Sequence, residues 1–256
     1  MITVWPAVYL TQKGSAPSLR DALVGGILLY RASPGHAQSS LGTPLLRNVS
    51  PAPRMAPLPS RDDALALMHE YTASDSLRKH MLSVEAVMRA YAEKQSADVE
   101  RWGLTGLIHD FDYERWPNDA HSPTDEHPSE GVRILRARGW PEDILDAILG
   151  HAIYCNTPRT TAMAKTLFAV DELTGLITAT ALVRPSRSVH EVEARSVRKK
   201  MKDKAFARGV SRDDVITGAA ELGVDLDEHI TFVIGAMQRS ASAIGLAGTP
   251  AASEGA

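Results

Sequence analysis

The sequence predicts an all-α fold, a single-domain helical bundle, on three observations. Of its 256 residues 44% are hydrophobic, which is enough for one sizeable core. Only 5% are aromatic, while alanine and leucine, both strong helix formers, abound. Helix start and stop signals repeat from Ser60 onwards, and no convincing strand-like alternation of apolar and polar residues accompanies them.

Composition divides the chain into three parts. Residues 1–58 are rich in proline, glycine and serine and carry little charge, so we expect an irregular or loosely attached, poorly ordered segment there. The helical domain is predicted to span residues 59–246. Residues 247–256 are small and polar, which is typical of a frayed tail.

The first two helices are predicted from their caps. Ser60 can cap a helix that carries Asp62 and Asp63 in its first turn, where the helix dipole favours negative charge. Asp75 or Ser76 opens a second helix. Its apolar stripe consists of Leu77, Met81, Val84 and Met88.

A third helix is predicted to begin at Ser96 and to run to Asp110. Gly103 and Gly106 lie among its apolar residues, and their small size allows another helix to approach closely. A polar loop with prolines follows, over residues 112–127.

Prolines and glycines mark the later helices. Pro128 suits the first turn of one helix, which Gly139 can terminate, and Pro141 begins the next in the same way. A long apolar segment over residues 162–183 predicts a buried helix. Three further helices are predicted over residues 188–207, 211–222 and 225–246.

Charge and hydropathy exclude several classes of protein. A formal net charge of -3 gives no general attraction to nucleic acid or to an anionic membrane. No apolar run reaches the roughly 18 residues that a membrane-spanning helix needs. Cys155 is the one cysteine, which excludes an intrachain disulfide and favours a reducing, cytoplasmic location.

A scattered set of imidazoles and carboxylates carries most of the chemical information. Such side chains suit Mn, Fe, Co, Ni and Zn, and an aspartate can bridge two ions. The carboxylate of Asp171 lies in an apolar stretch, where it would be costly to bury without a partner. Each residue alone could also be a solvated or hydrogen-bonded side chain. The set comprises His80, His109, Asp110, His127, His151 and Asp171.

In order and spacing, this set resembles the HD superfamily of metal-dependent phosphohydrolases. Residues 79–85, 107–113 and 171–177 resemble the small HDIG-type bacterial hydrolases, and the extra His127 and His151 resemble the two-metal branch. The resemblance covers roughly residues 61–246. It therefore leaves the N-terminal segment out.

The resemblance implies a ligand set and a reaction. One divalent transition-metal ion would be held by His80, His109, Asp110 and Asp171. Asp110 would bridge to a second ion that is also held by His127 and His151. The implied activity is hydrolysis of a small, nucleotide-like phosphate ester by a metal-activated hydroxide.

In several family members a glutamate or lysine three residues after the paired aspartate assists proton transfer. Here that position is occupied by Tyr113, which is neither. Asp112 and Glu114 are therefore the candidates for a general acid, beside a catalytic role for Asp110. The alternative, that Asp112 and Glu114 merely shape or solvate the loop, is equally consistent with the sequence.

Phosphate also needs cations beside the metal ions, and three residues are candidates for binding it. Lys79 adjoins a predicted ligand. Arg184 lies thirteen residues after Asp171, so it reaches the site only if the helix bends near Gly175. Lys199 belongs to a basic run for which a solvated face is the favoured interpretation, ahead of a phosphate-binding wall or a nucleic-acid patch.

Two other functions stay open. Some two-metal relatives hold a mixed-valent di-iron centre and act as oxygenases, with tyrosine and glutamate before the first histidine, but Glu70 and Tyr71 match that pattern poorly. A non-enzymatic metal-binding module is the other alternative. A homodimer is also considered, because the last helix has apolar residues that could pack internally or against another copy. These are Ile230, Val233, Ile234 and Met237.

Overall fold

A computed structural model describes residues 58–248, and these form nine α-helices and no strand, which confirms the all-α prediction. Most of the predicted N-terminal segment, residues 1–57, and the tail from residue 249 lie outside the described residues. The helices are α1 (Arg61–Tyr71), α2 (Asp75–Lys94), α3 (Val99–Ile108), α4 (Ser129–Ala137), α5 (Glu142–His151), α6 (Ala162–Leu182), α7 (Ala194–Met201), α8 (Arg212–Leu222) and α9 (Leu226–Arg239).

The first helix begins as the sequence predicts. The Ser60 hydroxyl accepts a hydrogen bond from the backbone N–H of Asp63, and the Asp63 carboxylate accepts one from the backbone N–H of Ser60. This reciprocal cap satisfies donors that a helix start leaves free. The second helix begins at Asp75, where Ser74 caps it through the backbone N–H of Leu77.

The third helix differs from its prediction at both ends. It is capped by Asp98 and not by Ser96, which has a φ of 53° in the turn after α2. It ends at Ile108, so His109 and Asp110 directly follow its last residue. The end of this helix therefore presents two consecutive polar side chains to the interior.

The predicted helix over residues 188–207 is broken in the structure. A 3-10 turn, Val189–Glu191, precedes the short helix α7, and the chain from residue 202 to 211 is not helical. Glu193 caps α7 in a reciprocal pair with Ser196, which separates the helix from the turn. The last predicted helix is also shorter, since α9 ends at Arg239 and turns follow to Leu246.

Helix α6 is the centre of the domain and packs against α2, α5 and α8. Glycines allow the closest approaches between helices. A Cβ atom on Gly218 of α8 would lie 2.5 Å from the Cα atom of Ala169 in α6. One on Gly106 of α3, as the sequence predicts, would lie 3.0 Å from the backbone of Glu85 in α2.

The last helix packs inward. Its apolar residues Ile230, Val233, Ile234 and Met237 are buried within the described chain, so they are not a surface for a second copy. A homodimer stays a prediction. No helix in residues 58–248 combines the length and the apolar character that crossing a lipid bilayer requires.

A buried histidine joins three of these helices. His229 of α9 donates from Nε2 to the carbonyl oxygen of Ala169 in α6, at 3.0 Å. The hydroxyl of Tyr91 in α2 lies 2.6 Å from Nδ1 of the same ring and donates to it. Both ring nitrogens of this buried histidine therefore have hydrogen-bond partners.

Candidate metal centre

The six predicted ligands come from five parts of the chain and meet in the interior. His80 lies in α2, His151 is the last residue of α5, and Asp171 lies in the middle of α6. His109 and Asp110 follow α3, and His127 precedes α4. Five of them are less than a tenth exposed, and the side chain of Asp171 is 18% exposed.

Four ligand atoms form a first group, one each from His80, His109, Asp110 and Asp171, all within 4.8 Å of one another. Asp171 Oδ1 lies 2.9 Å from His80 Nε2 and 3.3 Å from His109 Nε2. His109 Nε2 also lies 3.3 Å from Asp110 Oδ1. Such a group of imidazole and carboxylate atoms has the composition of a divalent-metal site.

A second group shares one residue with the first. Asp110 Oδ1 lies 3.3 Å from His127 Nε2 and 3.5 Å from His151 Nε2. The two imidazole nitrogens are 3.2 Å apart. Asp110 Oδ2 lies on the other side, 3.6 Å from His80 Nε2. Asp110 Oδ1 therefore lies close to His109 of the first group as well as to His127 and His151 of the second, while Oδ2 approaches His80.

In three histidines the hydrogen bond made by Nδ1 shows that Nε2 is the atom that can bind a cation. Nδ1 of His109 lies 2.8 Å from the carbonyl oxygen of Gly106, and Nδ1 of His151 contacts that of Ile148. Nδ1 of His127 lies 2.8 Å from Asp112 Oδ1. Since these oxygens are acceptors, Nδ1 carries the proton when the ring is neutral, and Nε2 then turns a lone pair towards the carboxylates.

This donor set fits a metal centre. Lone pairs of His127 and His151 that face each other and Asp110 Oδ1 repel unless a positive charge lies between them. A cation with neutral imidazole and carboxylate ligands removes that repulsion. The residues present therefore form two candidate ligand groups for metal ions.

Charges within the cluster shift the pKa values of its members. Burial lowers the pKa of His109, but the carboxylates of Asp110 and Asp171 outweigh burial and raise that pKa to about 9. Burial would raise the pKa of Asp171, yet His109 and His80 hold it well below its usual range. The cluster thus favours positive charge at its centre.

A pocket of about 610 Å³ adjoins this cluster. Among the described residues, its lining includes no lysine and no arginine. Ile153 and Val183 are more than half exposed, so the pocket opens to solvent beside them. Its polar lining consists of His80, Asp110, Tyr113, Asn118, His121, His127, His151, Tyr154, Asp171, Glu172 and Asp214. Its apolar lining includes Ile153, Phe168, Ala179, Val183, Phe206 and Val210.

One arginine holds a wall of this pocket in place. The segment 203–210 connects α7 to α8, and residues 205, 206, 207, 209 and 210 line the pocket. Arg212 Nη1 donates to the carbonyl oxygens of Ala207 and Val210, both at 2.6 Å. Its Nη2 donates to those of Phe206 and Asp203. Backbone carbonyls of a non-helical segment thus receive their donors from one side chain.

The two candidate general acids have other contacts than those predicted. Asp112 is fully buried, and its carboxylate accepts hydrogen bonds from His127 Nδ1 and from the backbone N–H of Gly131, at 2.8 and 2.7 Å. Glu114 is exposed and accepts from the backbone N–H groups of Ala73 and Ser74. Neither residue lines the pocket, so neither faces a substrate there.

The three candidate phosphate-binding residues also lie away from the pocket lining. Lys79 forms an ion pair with Asp75 at 2.6 Å. Arg184 follows the end of α6 and donates to the Ser196 hydroxyl at 3.1 Å, since the helix continues through Gly175 without a break. Lys199 is exposed on α7, as a solvated face predicts.

Sequence reasoning missed several pocket residues. His121 lines the pocket, and its ring lies 4.9 Å from that of Tyr154. Glu172 offered one signal, a second carboxylate beside Asp171 in an apolar helix. Asp214 and Phe206 offered none, because their place depends on where the chain leaves α7.

The pair considered for an oxygenase lies outside the pocket lining as well. The ring of Tyr71 packs edge to face on Phe111, with centroids 5.1 Å apart. Glu70 forms an ion pair with Arg138 at 3.3 Å. The oxygenase alternative is therefore not favoured.

Comparison with known proteins adds one finding. A family model described as HD domain matches residues 77–176, a stretch that includes all six predicted ligands. No curated protein and no solved structure matches the chain. The family match and the geometry of the two ligand groups thus point to the same part of the molecule.

Proposed function

Since the chain belongs to the HD superfamily, whose members are metal-dependent hydrolases, we propose that it hydrolyses a small phosphate ester with two divalent transition-metal ions. The observation that carries the proposal is the position of Asp110 in both ligand groups. When bound, two such ions supply positive charge that lowers the pKa of a water molecule and stabilises the phosphoryl oxygens.

The chain's own residues prepare the centre. Asp110 turns Oδ2 towards His80 and Oδ1 towards His127 and His151, so its carboxylate suits a bridging position. The backbone carbonyls of Gly106 and Ile148 fix the rings of His109 and His151. This fixed arrangement reduces the reorganisation that binding and reaction would require.

The pocket supports a small organic substrate. It contains members of both ligand groups, and its apolar side chains, among them Phe168 and Phe206, offer contact to an organic group. A phosphoryl group would face the histidines and aspartates while the rest of the ester lies against that wall. Concave, mostly apolar pockets with a few convergent polar groups are typical of small-molecule sites.

Replacing Asp110 by alanine tests the proposal, since it removes a ligand from both groups. The purified protein is analysed for metal content and assayed on a panel of phosphate monoesters and diesters. We expect metal-loaded wild type to release phosphate or alcohol, and Asp110→Ala to lose both the metals and the turnover. Asp119→Ala, in an exposed loop, is the matched control and should retain both.

The result that would overturn the proposal is equally clear. If Asp110→Ala hydrolyses esters as fast as wild type, the six residues are not the catalytic centre. If metal-loaded wild type hydrolyses no member of the panel, the phosphohydrolase assignment is wrong. Assays with and without dioxygen separate the oxygenase, whose product formation would require oxygen.

A further inference from the structure

The pocket is acidic beyond its predicted metal ligands. Glu172 and Asp214 line it in addition to Asp110 and Asp171, and the described lining contains no lysine or arginine to balance them. Carboxylates of this kind are costly to place in a partly apolar pocket without a cationic or hydrogen-bonding partner. Two divalent ions would balance the four carboxylates and leave no surplus of positive charge.

Glu172 has capacity for a further hydrogen bond at the pocket wall. Its Oε2 accepts from the backbone N–H of Ser211 at 3.1 Å, and no other donor to its carboxylate occurs among residues 58–248. The other oxygen, Oε1, is therefore available to a ligand. Glu172 is part-buried in the central helix, and its one hydrogen bond limits the positions that this oxygen can take.

Asp214 lies in the first turn of α8 and is half-buried. Helices α6 and α8 are held in close contact where Gly218 meets Ala169. Glu172 and Asp214 therefore face the same pocket from two helices whose separation is fixed.

The arginines that influence these carboxylates are engaged elsewhere. Arg159 donates to Glu221 from Nε at 2.8 Å, and its guanidinium lies 3.7 Å from the ring centroid of Phe168. Arg212 donates to backbone carbonyls of the segment 203–210. Neither lines the pocket.

We propose that the pocket takes a phosphate monoester whose organic part is apolar and ends in a cationic amine, which Glu172 and Asp214 bind. This inference rests on the proposed phosphohydrolase function. The phosphate monoester faces the predicted metal ligands, the apolar part lies against Phe168 and Phe206, and the amine reaches the two further carboxylates. An ester with additional negative charge, such as a nucleoside triphosphate, is excluded from this pocket by repulsion.

The test compares three esters that differ in one substituent. Phenyl phosphate, 4-(aminomethyl)phenyl phosphate and 4-carboxyphenyl phosphate are neutral, cationic and anionic at the organic end. We measure kcat/KM for each ester with metal-loaded wild type and with Glu172→Gln, Asp214→Asn and Asp213→Asn. Glutamine at position 172 can still accept from the backbone N–H of Ser211, and Asp213 is the exposed neighbour of Asp214, which makes Asp213→Asn the matched control.

Wild type should prefer the cationic over the anionic ester, and each pocket variant should reduce that preference about tenfold, as expected for loss of one charge-assisted hydrogen bond. Comparing the same pair of esters between proteins cancels their different leaving groups. Asp213→Asn should keep the wild-type preference. Melting temperature and metal content of each variant check that fold and centre are intact.

The possible failures are distinguishable. If wild type cleaves the anionic ester as efficiently as the cationic one, or if both pocket variants keep the wild-type preference, the inference is overturned while the phosphohydrolase stands. If wild type cleaves none of the three esters or the wider panel, the proposed function fails and the inference fails with it.

Discussion

Asp112 holds the ring of His127 through a hydrogen bond of 2.8 Å between Oδ1 and Nδ1, and both side chains are buried. The other oxygen of the same carboxylate accepts from the backbone N–H of Gly131 at 2.7 Å. The carboxylate thus fixes the start of α4 and the orientation of a predicted ligand together. It keeps the proton of His127 on Nδ1 and leaves Nε2 free to bind a cation.

We expect Asp112→Asn to weaken metal binding at the second predicted site, which includes His127, far more than at the first. Asparagine has one acceptor oxygen, so either His127 Nδ1 or the backbone N–H of Gly131 faces an amide group that donates. Loss of a hydrogen bond that orients a metal-binding histidine lowers metal affinity about 10- to 100-fold. Titration with divalent metal should give two sites in wild type and one strong site in the variant.

Asp119→Asn is the control for that titration, because Asp119 is an exposed aspartate of the same loop. It should bind metal as wild type does. Two sites of unchanged affinity in Asp112→Asn would show that the orientation of His127 does not depend on this carboxylate.

Replacement of glycine by alanine is expected to change stability in opposite directions at Gly131 in α4 and at Gly235 in α9. A Cβ atom at Gly131 would lie 2.6 Å from Cγ of Asp112, so the carboxylate must move. At Gly235 the nearest atom is 3.8 Å away, on Arg239. We expect Gly131→Ala to lower the free energy of unfolding by about 1–3 kcal/mol and Gly235→Ala to raise it by about 0.5–1 kcal/mol. Denaturant unfolding measures both, and equal effects of one sign would contradict the packing at Gly131.

We expect the folded protein to lose stability in mild acid because of His229. Burial and the charge of Lys94 lower its pKa below 6.5, so the folded protein keeps the ring neutral. Below about pH 6.5 the unfolded chain binds a proton that the folded chain does not, and the free energy of unfolding falls as the pH falls. Above that pH the contribution is constant.

The measurement compares wild type with His229→Gln by denaturant unfolding between about pH 7.5 and about pH 5.5. Glutamine does not titrate in this window, so we expect a flatter dependence on pH in the variant. The predicted metal ligands titrate in both proteins and cancel in the difference. Parallel curves would mean that His229 is not the group that responds to acid.

The sequence alone predicts the helical class and a set of candidate metal ligands for a physical reason. His109, Asp110, His151 and Asp171 are polar residues next to long apolar runs, where burial without a partner is costly. Such placement is visible along the chain, and the order of the residues matches a known superfamily. The structure then brings the six residues of that set together in two groups that could each hold a metal ion.

The pocket wall over residues 203–210 could not be predicted in this way. Residues 202–207 belong to a predicted helix, because periodicity continues past the point where α7 ends. The role of Asp112 was equally hidden, since its partner His127 is fifteen residues away and the loop between them has no regular pattern. Both depend on tertiary contacts that local sequence does not encode.

Arg212 anchors a pocket wall that is separate from the predicted metal ligands. The wall it anchors, residues 203–210, contains none of the six ligands, and those ligands belong to or directly border α2, α3, α4, α5 and α6. Replacement of side chains along that wall would reshape the pocket without changing any of the six predicted ligands. Descendants of this sequence could therefore acquire new substrates through changes in eight consecutive positions, and directed evolution can begin with the same short stretch.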